Sequence, residues 1–368
     1  MQQKYSTYPI VLHQTYVAGV LAFVIAMVTT IASNPASAFE LDIYGVGHVS
    51  ADLNDDGDDS QGYIASNSSR LGIRAKQALD NGLHVGIQYE SGVDLTGRGT
   101  NDGNGPGTSN NLFSTSRDSF VSLGGGFGTV TAGRLGVLNQ WVYDYNLFAD
   151  QIGDLGNIWG GTGIPGRDNG MIAYTTPTLG MGLQGFAGYI PESGTDNADI
   201  LVLKLNLNHN SGLKAGLGYS NLGDGNFGPG ADDQTAFVVT ASYSAGPFSV
   251  GGGYQSDSDI GGASGNDRDS YTVGGSYNFG SATVKAQYTT TDADATSADA
   301  EMIAVGVDYA LNKATTVYAA YASTDNDSNS AFTANNYGHG QAVSPLAGDD
   351  PSSFSVGIVY KFDANIIK

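Results

Sequence analysis

The chain has no cysteine in 368 residues, which excludes disulfides and thiolate ligands. Positive charge is scarce. Against 36 Asp and Glu stand only 15 Lys and Arg, a formal net charge of -21. A chain this acidic repels phosphate backbones, so no nucleic-acid partner is expected. Past residue 38 no apolar run reaches the roughly 18 residues of a membrane helix, and mean hydropathy is -0.15. A helical membrane protein is therefore not expected. Also missing are a G-x-S-x-G nucleophile turn, a phosphate-binding P-loop and an H-E-x-x-H metal pair. The histidines beyond residue 38, His48, His84, His209 and His339, are scattered. These absences leave no sign of a catalytic residue, a cofactor or a metal centre.

Two further matches carry little. Asp52-Leu53-Asn54-Asp55-Asp56-Gly57 opens like an EF-hand calcium loop, but Tyr63 stands where the bidentate Glu belongs, and a solvated turn is the expectation. Gly161 to Gly166 fits G-x-G-x-x-G, but Pro165 interrupts it and no helix pattern follows. The 54 glycines have no collagen period.

What is present is a rhythm. The first 38 residues read as a signal peptide: one charge at Lys4, an apolar stretch from Val17 to Ile31, and small residues at Ala36-Ser37-Ala38. Cleavage before Phe39 would remove Lys4 and take the charge from -21 to -22. From Phe39 to Lys368 the chain reads as one domain of segments about ten residues long, in which apolar and polar side chains alternate. Leu83, Val85, Ile87 and Tyr89 face one way, and His84, Gly86, Gln88 and Glu90 the other. Leu201, Leu203, Leu205 and Leu207 alternate with Lys204 and Asn206, and Phe354, Val356, Ile358, Tyr360 and Phe362 form the last apolar row.

The links between segments alternate in length. Short ones lie at Asp80-Asn81-Gly82, Gly124 to Gly126, Pro177 to Gly180, Asn210 to Gly212, Gly246-Pro247, Gly280 and Asn312. Long ones begin near Asp52, Leu95, Gly136, Glu192, Asn221, Ser256, Asp292 and Thr324. Seven short and eight long links define sixteen strands, with short turns on one rim and long loops on the other. That pattern predicts an all-β, 16-stranded antiparallel transmembrane β-barrel of an outer membrane. A soluble β-sandwich would alternate too, but it would not sort its links by rim or place tyrosines such as Tyr44, Tyr89, Tyr219 and Tyr254 near strand ends, where a headgroup boundary suits them. The long loops are acidic, with Asp52, Asp55, Asp56, Asp58 and Asp59 in the first and Asp349 and Asp350 in the last. They read as a solvated rim, or more sharply as divalent-cation ligands among anionic lipid headgroups.

Arg70, Arg74 and Lys76 share one strand face opposite Leu71, Ile73 and Ala75; lipid rejects such a row, so it points into the lumen. Lys204, Lys214 and Lys285 are lumen-facing by the same parity. The third long link, Gly136 to Gly166, holds both tryptophans, Trp141 and Trp159, with Tyr143, Tyr145 and Phe148, and also Asp144, Asp150 and Asp154. A loop of this composition can fold into the bore and set carboxylates opposite Arg70 and Arg74.

FELDIYGVGHVSADL, SSRLGIRAK, RDSFVSLGGGFGTVTAGRLG, RDNGMIAYTTPTLG and the closing SVGIVYKF resemble the general, non-specific porins of Gram-negative outer membranes. The resemblance implies a homotrimer of water-filled channels for small hydrophilic solutes and ions, embedded in outer-membrane lipid and lipopolysaccharide. It also implies a third loop folded inward as a constriction, and a closing strand read by the barrel-assembly machinery. By motif, the basic wall of that constriction would be Arg70, Arg74, Arg134 and Arg167, and the loop acids would come from Asp144, Asp150 and Asp154. Three features depart from the family pattern. Val46 stands where many relatives carry a cation, the P-E-F-x-G motif is absent, and Asp363 to Lys368 continue past the terminal aromatic Phe362. Two other readings fit the residues: a substrate-specific channel with Trp141, Trp159 and the tyrosines between them as a stacking path for sugars, and a surface adhesin or receptor whose acidic loops bind a partner.

Overall fold

The computed structural model describes residues 39–97, 100–101, 116–138, 145–340 and 342–367. The signal-peptide reading, together with Trp141, Tyr143 and Asp144, lies outside the described residues. The membrane strands are β1 Phe39–Asp55, β2 in two segments Ser60–Asn67 and Arg70–Ala78, β3 His84–Gly92, β4 Ser119–Gly125, β5 Gly128–Gly136, β6 Arg167–Thr175, β7 Leu183–Ile190 and β8 Ile200–Asn208. They continue with β9 Leu213–Leu222, β10 Gln234–Ala245, β11 Phe248–Ser258, β12 Arg268–Asn278, β13 Ala282–Ala293, β14 Ala300–Ala310, β15 Thr315–Asn326 and β16 Ser352–Ile367. Both segments of β2 pair with β1, so they count as one strand broken at Ser68, whose φ is +45°. Each strand pairs antiparallel with its neighbours, and β16 returns to β1 in a register that runs from Leu41 opposite Ile367 to Asp55 opposite Ser352. The predicted closed barrel of sixteen strands is what forms. A further piece, Thr100–Asn101 in the second long loop, pairs parallel with Ser66 and Asn67.

Period two sorts the side chains. Exposed Ile73, Ile87, Val121, Leu203, Leu205, Phe237, Val273, Ile303, Val305, Val356 and Ile358 cover the outside, and Tyr89, Tyr243, Tyr271, Tyr309 and Tyr360 are exposed with them. The opposite rows carry His48, Ser50, Asp52, Gln255, Asp257, Lys285, Gln287 and Thr289, all buried inside the barrel. The alternation is what an apolar surround and a wet bore demand of one strand.

Two connections differ from the sequence reading. The first long link shrinks to Asp56–Asp59, because β1 runs on through Asp55. Asp52 and Asn54 are polar because they face the lumen, not because the chain has left the sheet; they are 5% and 0% exposed. The EF-hand-like stretch is therefore mostly strand. The third short link, read as Pro177 to Gly180, extends from 176 to 182, with its reversal at Gly180–Gly182 and Met181 at φ +66°. Strand alternation stops at Thr175, and a left-handed residue is needed later to turn back.

The last aromatic in the outer row of β16 is Phe362, whose partner in β1 is Gly45; a Cβ there would lie 2.8 Å from the Phe362 ring. We expect Phe362→Asp to place a carboxylate on this apolar face beside the closing seam and to reduce folded barrel severely. Heat-modifiable mobility on gels measures it, and a normal yield of folded barrel would contradict the expectation.

Candidate functional site: the bore and its inward loop

The third long loop lies against the inner wall. Leu138, Leu155, Ile158, Trp159 and Ile164 from the loop form one buried cluster with wall residues Val202, Ala236, Val238, Ala300 and Met302. Phe148 and Ile152 form a second cluster with Ala304, Tyr318, Ala320 and Ala322. The wall is built of small residues where the loop approaches. A Cβ on Gly253 would lie 2.8 Å from Trp159, and one on Gly251 would run into the Tyr145 ring. The Gly251-Gly252-Gly253 run inside β11 was the sequence signal for this contact, since glycine in a strand interior marks a close approach.

Three wall cations cap the loop's carbonyls. Lys204 Nζ donates to the Gly136 and Val137 carbonyls at 3.2 Å. Lys285 Nζ donates to the Leu147 carbonyl at 2.8 Å and pairs with Asp308 at 3.0 Å. Arg268 donates to the carbonyls of Trp159 and Gly160 at 2.9 and 2.6 Å. Parity identified Lys204 and Lys285 as lumen-facing, but their loop partners are thirty or more positions away and left no local signal. Arg268 escaped the sequence reading because it opens β12 beside an acidic loop.

The eighth long loop, residues 327–351, closes over the third. The Ala334 carbonyl accepts from Gly153 N–H at 2.7 Å. Asn157 Oδ1 accepts from the N–H groups of Asn336 and Tyr337 at 2.9 and 2.6 Å. Gly340 N–H donates to Asn67 Oδ1 at 2.9 Å, and the buried His339 ring meets Asp52 at 3.3 Å. This tie was not anticipated. Only the run Asn335-Asn336-Tyr337-Gly338-His339-Gly340, polar and turn-prone, hinted that the loop had a shape of its own.

The site residues read from the sequence separate into distinct places. Arg70 Nη1 meets Asp150 Oδ2 at 3.2 Å, joining the wall to the loop. Arg167 meets Asp118 at 2.6 Å, beside an Arg117–Glu90 pair at 2.5 Å that the sequence reading missed. Arg74 does not join them. Four residues along β2, about 13 Å toward the short-turn rim, it pairs with Asp42 at 2.9 Å and Asp363 at 2.6 Å. Arg134 stands opposite Ser119, in the row of Ala132 and Val121, which is the outer row. Its guanidinium binds the Ser116 carbonyl and Asn169 Oδ1. Period two from Ala132 already puts it there, so motif likeness and strand parity disagreed on this residue. The pairing of β5 with β6 shifts register beside it, where Gly133 has φ +151°. Asp154 is fully buried inside the loop, where it accepts from Asn146, Asp150 N–H and Gly156 N–H. Burial pushes its carboxyl up to about 8 against the pull of those donors, so near neutrality it brings little charge to the bore. Trp159 is 2% exposed and offers no stacking surface to a passing solute. Among the described residues no group of three or more His, Asp or Glu side chains is placed to hold a metal.

A sequence model of Gram-negative porins matches residues 22–329. The chain belongs to the Gram-negative porin family. It is 29% identical over 358 residues to outer membrane porin protein 32 of Delftia acidovorans, covering 93% of this chain and 98% of that one. It superposes on the anion-selective porin of Comamonas acidovorans with a TM-score of 0.72 and 27% identity, across 88% of this chain and all of the other. A chitoporin of Vibrio furnissii is 31% identical over 166 residues, 44% of this chain and 43% of that one. The protein is thus an outer-membrane channel for passive diffusion.

The porin's inward loop should depend on Trp159 and Asn157. Trp159→Ala removes a large buried ring, at about 3–5 kcal/mol. Asn157→Ala leaves two buried N–H groups of the eighth loop without their acceptor, at about 1–3 kcal/mol each. Both variants should show noisier open-channel current and faster proteolysis within 137–166. Wild-type noise and protease resistance in both would mean the loop is held elsewhere.

Proposed function

We propose that the channel is a general porin whose narrowest point lies between the inward third loop and the wall that carries Arg70, Arg117 and Arg167. The contact of Arg70 with Asp150 supports this reading, since it ties a loop carboxylate to the wall that carries the three guanidinium groups. Opposed charges across a narrow wet gap orient water and polar solutes, and a neutral apolar solute must displace that water. Selection would then follow size and charge. Asp144, the remaining loop acid of the sequence reading, lies outside the described residues. Arg74 and Arg134 have no part in the gap under this reading, and Asp154 acts by shaping the loop.

The described cations of the gap are matched one for one: Arg70 by Asp150, Arg117 by Glu90, Arg167 by Asp118. Paired charges leave little net field, so the acidic rim should decide the sign, giving a weak cation preference. Exposed rim charges are screened within about 10 Å at 0.1 M salt and about 3 Å at 1 M, so the preference should fade with salt. The anion-selective relative favours the opposite sign, and reversal potentials in a salt gradient separate the two. A clear chloride preference would mean that the guanidinium groups dominate despite their partners.

Single-channel conductance with solute exclusion in a planar bilayer tests the gap. Arg70→Ala should raise the solute size limit and shift selectivity toward cations, while Asp150→Asn should shift it toward anions. Folded barrels of both variants with unchanged size limit and selectivity would place the constriction elsewhere. Saturation by one sugar would favour a substrate-specific channel, and absence of ion conductance would favour an adhesin or receptor.

Assembly follows the same reading. The outer apolar rows and exposed tyrosines suit lipid, lipopolysaccharide and neighbouring subunits of a homotrimer, and the closing row through Phe362 suits the barrel-assembly machinery. Residues 1–38 act as a signal peptide. N-terminal sequencing of outer-membrane protein should read Phe-Glu-Leu-Asp; an intact precursor in the inner membrane would overturn this.

A further inference from the structure

The chain continues past Phe362, and the continuation is part of the barrel. β16 runs to Ile367, with Asp363 opposite Tyr44, Asn365 opposite Asp42 and Ile367 opposite Leu41. Asp363 falls on the inner row, since Phe362 and Tyr360 occupy the outer one. Its carboxylate reaches Arg74 Nη2 at 2.6 Å, while Asp42 holds Arg74 Nε at 2.9 Å. Asn365 Nδ2 donates to the other oxygen of Asp42 at 2.7 Å, and the guanidinium lies 5.1 Å from the Tyr44 ring centre. The extension therefore supplies two of the groups around Arg74.

This place is wet. The Arg74 and Asp363 side chains are 44% and 53% exposed. It is also near the short-turn rim, which is the periplasmic rim of an outer-membrane barrel. At the level of Glu40 to Tyr44 the inner rows of β1, β2 and β16 bring two cations, Arg74 and Lys76, and three anions, Glu40, Asp42 and Asp363; Lys361 stands opposite Val46, in register with Arg70. Without Asp363 the two signs would be equal.

We propose that the C-terminal extension is a selectivity element of the periplasmic mouth. Asp363 gives this side of the mouth its net negative charge and, with Asp42, keeps the Arg74 guanidinium clamped to the wall. Ions leaving the constriction pass this patch, so its net charge biases which sign is enriched there. The role does not depend on where the constriction lies. It depends only on conduction through the bore.

Reversal potentials in a gradient with the dilute salt on the periplasmic side test it. At about 0.1 M, Asp363→Asn should lower the cation-to-anion permeability ratio about twofold, and Asp363→Lys should lower it further. Asp363→Glu should keep the wild-type ratio, Arg74→Gln should raise it, and all differences should shrink at about 1 M salt. A chain ending at Phe362 should behave like Asp363→Asn if it assembles; if it does not, the point variants still decide. Folded Asp363→Asn and Asp363→Lys barrels that conduct with the wild-type ratio at low salt would overturn the proposal and leave the extension with a purely structural part. Absence of conduction in the wild type would instead overturn the channel.

Discussion

Closure of β1 on β16 is the constraint from which the rest follows. A strand edge in hydrocarbon would leave a row of N–H and C=O groups with neither water nor partner, so the sheet must meet itself. Once it does, every strand has one face to lipid and one to water, and the apolar core of an ordinary domain has no place to form. The seam also decides the fate of both chain ends. Phe39–Asp55 is bonded on both sides, and Ser352–Ile367 continues beyond the last outer aromatic because β1 still offers unpaired backbone opposite it.

A ring of sixteen strands encloses more space than its own side chains fill. The third loop uses that space. Its aromatic and branched residues are buried against Ala and Gly positions of β11 through β15, which makes this the main apolar core in the molecule. Peptide carbonyls brought into such a place need donors, and Lys204, Arg268 and Lys285 provide them. The same cations that a lipid-facing strand would reject therefore serve as anchors of the loop, and the eighth loop completes the arrangement through Asn157, Gly153 and the Asp52–His339 contact.

Charge in the bore is consequently divided by function. Some cations hold the loop, some stand in matched pairs at the narrow point, and Arg74 belongs to the periplasmic mouth with Asp42 and Asp363. Net composition, strongly acidic, describes the rims better than the interior, where nearly every described cation has a carboxylate or carbonyl within reach.

Much of this was legible without coordinates. Period two assigned the faces of Leu201 to Leu207 and of Phe354 to Phe362, and the alternation of short and long links gave strand number, rim and closure. The lumen direction of Arg70, Arg74 and Lys76 followed from what lipid excludes. All of these depend on neighbours in the chain, which a sequence displays directly. What it did not display were relations between distant segments. The continued pairing of β1 made Asp52 a buried lumen residue rather than a loop acid. Packing sealed Asp154 and Trp159 inside the loop, and closure of β16 on β1 gave Arg74 the partners Asp42 and Asp363 in place of a loop acid. Strand parity is a local property set by backbone geometry. Which cation meets which carboxylate is decided only when the closed ring brings residues hundreds of positions apart within hydrogen-bonding distance.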